Sequence, residues 1–75
     1  MIAFLSATEI GKRLKHLRGS RTLDEVSTAT GISCSALGMY EIGKRVPKDE
    51  NKVRLAKYYE VPVEIFFSSD YHDMR

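Results

Sequence analysis

Gly31-Ile32-Ser33 is the stretch that leaves this chain the fewest choices. On either side of it lie segments of about eight residues with helical periodicity, each carrying its own start signal. Thr22 with Glu25 makes a capping box, in which the two side chains satisfy backbone N–H groups reciprocally. Ser33 can cap the second segment, which runs from Cys34 to Glu41 or Ile42 before Gly43 stops it. The connection is too tight for an antiparallel hairpin, so the two helices must cross. Ser27, a small residue, faces the crossing point. Val26, Ile32, Leu37 and Tyr40 are apolar where crossed helices would bury them.

That combined spacing is the sequence form of a helix-turn-helix, although each residue alone reads equally well as ordinary core. More helices are expected around it. Ser6 with Glu9 forms another capping box ahead of Ile10, Leu14 and Leu17, and Gly19 marks the end. In the second helix Val26, Ala29 and Thr30 are the expected inward residues, and Gly31 supplies a left-handed stop. Past Pro47, the positions of Val53, Leu55, Ala56 and Tyr59 predict a fourth helix from about Asp49. Pro62 stands at the first turn of a short fifth helix over Val63 to Phe67. No segment alternates as a strand would. The expected fold is all-α: one compact five-helix domain over 1–75, with a core at about 6–67, an apolar leader at 1–5 and a tail at 68–75.

Seventy-five residues leave little room for a catalytic cleft beside a core. No hydroxyl–histidine–carboxylate set and no glycine-rich phosphate loop is evident, so neither an enzyme nor a small-molecule substrate is expected. Hydrophobic content of 43% with 29% charged residues is a globular balance rather than that of a disordered tail. Cys34 is the single cysteine, which excludes an intramolecular disulfide and fits a reducing compartment. His16 and His72 have no cysteine partners, so no zinc site, other metal or cofactor is expected. "MIAFL" is too short for a secretory signal and no apolar run reaches a membrane-spanning length. The expectation is a cytoplasmic protein without a membrane partner.

The net charge of +2 is small, but its distribution is uneven. Lys12, Arg13, Lys15, Arg18 and Arg21 run without an intervening acid, and Lys44, Arg45 and Lys48 form a second group. Near the end, Glu64, Asp70 and Asp73 face Arg75 alone. A basic side and an acidic end are common in nucleic-acid binders. For any single cation, a solvated helix face is the plainer explanation.

"TLDEVSTATGISCSALGMYEIGKRVP", with "IGKRLKHLR" before it and "LAKYYEVPVEIFF" after it, resembles the lambda-repressor-like helix-turn-helix domains of the Cro/repressor (XRE) family. The likeness covers about Ile10 to Phe67. Glu41, Ile42, Gly43, Lys44, Arg45 and Pro47 match the pattern that follows the family's recognition helix, and Leu55, Ala56, Tyr59, Val61 and Phe66 match its closing segment. The chain departs from the pattern at several places. The "GSR" loop looks short, Leu23 stands where many members carry glutamine, and Ile42 replaces a common asparagine. Asp49 and Lys52 occupy positions that are often apolar.

The resemblance implies that Arg18 pairs with Glu41 as a structural ion pair, and that Cys34, Ser35 and Met39 approach base edges in a major groove. On a helical wheel Ser35 and Met39 lie outward, with Gly38 and Ile42 beside them and Cys34 and Ala36 at the edges. Direct readout depends on bidentate donors such as Arg, Asn and Gln. The chain has no glutamine, and its one asparagine, Asn51, falls outside this helix. Discrimination is therefore expected from shape: Met39 and Ala36 against thymine methyl groups, one hydrogen bond from Ser35, and deformability of the site. Phosphate contacts are expected from the start of helix two at Thr22 and Leu23, from Ser33 and Arg21, and from Lys44, Arg45 and Lys48.

The partner so implied is double-stranded DNA with a pseudo-palindromic operator, bound by a homodimer acting as a repressor or controller-type regulator. The apolar excess at the ends, Ile2, Phe4 and Leu5 with Ile65, Phe66, Phe67 and Tyr71, points to a dimer interface in the fourth-to-fifth helix region. Closure of the core is the alternative use of those residues. A second functional reading is a protein-interaction module or antitoxin that keeps the fold. The scarcity of donors on the outward face is its best support.

Overall fold

Both capping boxes form. In the computed structural model, which describes residues 5–66, Ser6 Oγ accepts the Glu9 N–H at 3.1 Å while Glu9 Oε1 accepts the Ser6 N–H at 3.2 Å. This starts α1 (Ala7–Arg18). Thr22 and Glu25 repeat the arrangement at 3.0 Å in both directions and start α2 (Leu23–Thr30). Gly31, left-handed at φ 78°, ends α2, and Ser33 Oγ takes the Ala36 N–H at 3.1 Å to start α3 (Cys34–Glu41). Helix α4 (Asp49–Tyr59) follows a loop in which Pro47 is buried.

Over Val63–Phe66 the expected fifth helix is instead a single 3-10 turn, so the described residues form four α-helices. Glu60 in the left-handed region and Pro62 end α4 abruptly, and the Ile65 N–H then reaches the Pro62 carbonyl, three residues back, at 3.3 Å. Arg13 ties this turn to α1 by donating from Nη1 to the Ile65 carbonyl at 2.6 Å. Among the described residues there is no strand.

The core collects Ile10 and Leu14 from α1, Val26 from α2, Leu37 and Tyr40 from α3, Leu55 and Ala56 from α4, and Leu5, Ile32 and Phe66 from between and beyond them. Val26, Leu55 and Phe66 have at most 1% exposure, and each such side chain contributes on the order of 1.5–3 kcal/mol by leaving water. Leu5 and Phe66 therefore serve the core rather than an interface. Ile65 is half-buried, and Ile2, Phe4, Phe67 and Tyr71 lie outside the described residues. One inward expectation fails: Ala29 is exposed, on the wall of an open groove between α2 and α4 lined by Ala29, Thr30, Arg54, Lys57 and Tyr58.

Helices α1 and α3 meet at Gly11. A Cβ there would collide with the Tyr40 carbonyl oxygen and come within 2.7 Å of the Glu41 carbonyl oxygen. Glycine inside a helix costs about 1 kcal/mol relative to alanine. Here the missing side chain is what lets α1 touch the backbone of α3 and fix its height against the rest of the domain.

Candidate nucleic-acid interface

Leu37 and Tyr40, 3% and 2% exposed, anchor α3 by its inner face. Asn51 on α4 donates to the Tyr40 hydroxyl at 3.0 Å, so the buried ring's polar end is satisfied. Beside them Arg18 grips Glu41 with two bonds, Nε to Oε2 at 2.7 Å and Nη2 to Oε1 at 3.0 Å. The third guanidinium nitrogen donates to the Arg21 carbonyl at 2.7 Å. With the Glu41 side chain only 9% exposed, this bidentate pair joins the end of α3 to the end of α1. The bond to Glu41 holds the Arg18 pKa above its ordinary value, against the opposing effect of burial.

The outer face is unlike the inner one. Ser35 is exposed, Met39 is partly exposed, and Ile42, the residue that caps α3, is 66% exposed. Gly38 is half-buried, where an added methyl would meet Leu23 Cδ1 at 3.9 Å, an ordinary contact. Ala36 packs against the core and so belongs more to the inner side than the helical wheel implies. Cys34, the first residue of α3, is turned toward α2: its Sγ lies 2.9 Å from Asp24 Oδ1. That bond, aided by burial, raises the thiol pKa and keeps Cys34 a neutral donor.

The basic loop returns to the end of α3, where the N–H groups of Lys44 and Arg45 both donate to the Met39 carbonyl, at 3.0 and 3.3 Å. Lys44, Arg45 and Lys48 are exposed, and Lys48 stands at the start of α4. Cations at a helix C-terminus also complement its dipole.

The other four expected phosphate ligands, Arg21, Thr22, Leu23 and Ser33, each have a partner or packing within the domain. Arg21 donates to the Leu17 carbonyl at 3.0 Å, and its guanidinium lies 5.4 and 5.5 Å from the rings of Tyr58 and Tyr59, which draws it to α4. The Thr22 N–H is taken by Glu25, leaving Leu23 and Asp24 as the first-turn donors of α2 without intrahelical acceptors. The Leu23 side chain packs against the core, and Ser33 Oγ is engaged as the cap of α3. Asp24 is the residue that sequence reading missed. Ten residues from Cys34, it carries no local signal of their pairing, which arises only once α2 and α3 cross.

Residues 9–64 match the family described as the helix-turn-helix domain. The chain belongs to that family. Solved structures agree on the fold of this helix-turn-helix domain. One is the restriction-modification controller protein C.AhdI from Aeromonas hydrophila, with a TM-score of 0.73 at 24% identity, over 81% of this chain and 96% of that one. Another is an HTH_3 family transcriptional regulator from Vibrio cholerae, with a TM-score of 0.72 at 30% identity over 89% of this chain. The helix-turn-helix chain spans 37% of the length of that regulator. No curated protein matches. Among the described residues no group of three or more His, Cys, Asp or Glu could hold a metal, and no helix is long and apolar enough to cross a membrane.

Proposed function

We propose that this helix-turn-helix chain is a sequence-specific regulator of transcription that inserts α3 into the major groove of double-stranded DNA as a homodimer on a pseudo-palindromic operator. The observation that carries the reading is the two-sidedness of α3. Leu37 and Tyr40 are sealed inside, whereas Ser35, Met39 and Ile42 remain accessible, with Lys44 and Arg45 folded back at the helix end. In helix-turn-helix docking the N-terminal residues of the second helix meet base edges and the first helix crosses the backbone. Met39 supplies the apolar contact to a thymine methyl, Ser35 a single hydrogen bond, and Lys44, Arg45 and Lys48 the phosphate contacts. Dimerisation is assigned to the surface of α4 and the 3-10 turn, where Val53 is 41% exposed. Repression, or control of a restriction system as for the Aeromonas controller protein, is the regulatory outcome assigned to it.

Selection of bound duplexes from a random pool tests this directly. A two-fold symmetric motif is expected, with binding that weakens steeply in salt, at a log–log slope of about −5 for about six neutralised phosphates per dimer. A second reading, a protein-interaction module or antitoxin, draws on the exposed apolar residues Ile42, Val46 and Val53. A stoichiometric protein partner with no enriched duplex would favour it.

A further inference from the structure

Resting on that DNA-binding reading, we infer that Asp24, which lies on α2 and outside the recognition helix, is a specificity-determining residue. Its carboxylate, held by the Cys34 thiol, accepts the exocyclic amino group of a cytosine at the base pair met by the N-terminal end of α3.

The inference starts from what a base would encounter there. Cys34 is the first residue of α3, the end that faces base edges in this docking mode. Its one donor, the S–H, is directed at Asp24 Oδ1 at 2.9 Å, so the side chain offers nothing further with which to read a base. The raised thiol pKa keeps that donor in place at neutral pH. Asp24 itself is exposed, and a carboxylate retains several acceptor sites after taking one hydrogen bond. Its placement at the mouth of the reading surface is fixed from two sides, by the first turn of α2 and by the thiol.

An acceptor at this place selects among bases by sign. In the major groove cytosine presents only an amino donor, and aspartate or glutamate is its usual side-chain partner. Guanine presents two acceptors and thymine one, which a carboxylate repels. Adenine pairs a donor with an adjacent acceptor, so it is met less well. The same charge also opposes nearby phosphates, which makes poorly matched duplexes weaker still. Among the outward residues of α3 none is charged, so Asp24 supplies an acceptor-only group beside the two-way hydroxyl of Ser35 and the apolar Met39 and Ile42.

Random-pool selection with the full chain and with Asp24→Ala tests this. The native chain should enrich cytosine at one base pair in each half-site, by about tenfold over guanine or thymine. Asp24→Ala should lose that preference alone, keep the rest of the motif, and bind unrelated duplex more tightly. Should the alanine variant fail to fold, Asp24→Asn keeps the shape and should shift the preferred base toward adenine, which an amide meets with a donor and an acceptor. A native motif without the cytosine, or a preference unchanged in the variant that folds, overturns the inference while the DNA-binding reading stands. Failure of the native chain to enrich any duplex overturns both.

Discussion

The two faces of α3 are built by different rules. The inner face is determined several times over: Leu37 and Tyr40 are buried, Gly11 brings α1 against the backbone, and Arg18 clamps Glu41. The outer face has no such determination, since Ser35 is exposed and Ile42 is largely so. Within α3 and its cap, one side of the helix answers to folding and the other is left open to solvent. Substitutions on the two faces should therefore separate stability from affinity.

The largest effect is expected at Gly11. Gly11→Ala places a methyl on the carbonyls of Tyr40 and Glu41, and backbone cannot yield as a flexible side chain would. A loss of about 3 kcal/mol is expected in urea unfolding. A loss below about 1 kcal/mol, the scale of helix propensity alone, would mean that α1 and α3 do not need their close approach.

Next comes the ion pair. Glu41→Ala strands Arg18, whose side chain keeps 20% exposure and so recovers part of its hydration. About 1–2 kcal/mol is expected in thermal unfolding, below the value for a fully buried pair. The exposed pair Arg54–Glu50, at 3.3 Å with side chains 49% and 70% exposed, is the internal control and should contribute almost nothing.

A smaller effect belongs to pH. Burial first, and then the Glu41 charge, push the Tyr59 phenol up to about 12 from its ordinary 10. The native state thus keeps a proton that the unfolded chain releases, so this contribution is complete below pH 10 and is lost as pH rises from 10 through 12. Melting temperature measured across that window should fall less in Tyr59→Phe than in the native chain. Equal falls would remove Tyr59 from the packing against the core. The smallest effect is on the outer face, where Ser35→Ala should change stability by no more than about 0.5 kcal/mol.

Much of the inner face was legible in the sequence. Ser6 with Glu9, Thr22 with Glu25, and Ser33 mark helix starts through bonds spanning three residues, and such local chemistry reads directly from spacing. The helical period likewise placed Leu37 and Tyr40 inside. What escaped depends on which elements meet. Gly11 looks like a weak spot in a helix until α3 lies against it, and Ala29 looks inward until α4 leaves it uncovered. Arg21 reads as a phosphate contact, but two tyrosines of α4 draw it aside. Cys34 reads as a base-facing side chain, and only the crossing of α2 and α3 directs its thiol to Asp24. The fifth helix differs for a local reason: over Val63–Phe66 the Ile65 N–H closes on the Pro62 carbonyl three residues back, which makes a 3-10 turn rather than an α-helical one.

The central claim is that the outward surface of α3 meets DNA, and Ser35→Glu tests it most directly. The position is exposed in the first turn of α3, where an added carboxylate favours the helix dipole. Melting temperature and duplex affinity should be measured on the same preparation, using the duplex selected by the native chain. The account predicts an unchanged or slightly higher melting temperature with affinity lower by about a hundredfold, because like charges brought together in a groove cost several kcal/mol. Intact folding with intact affinity would contradict it.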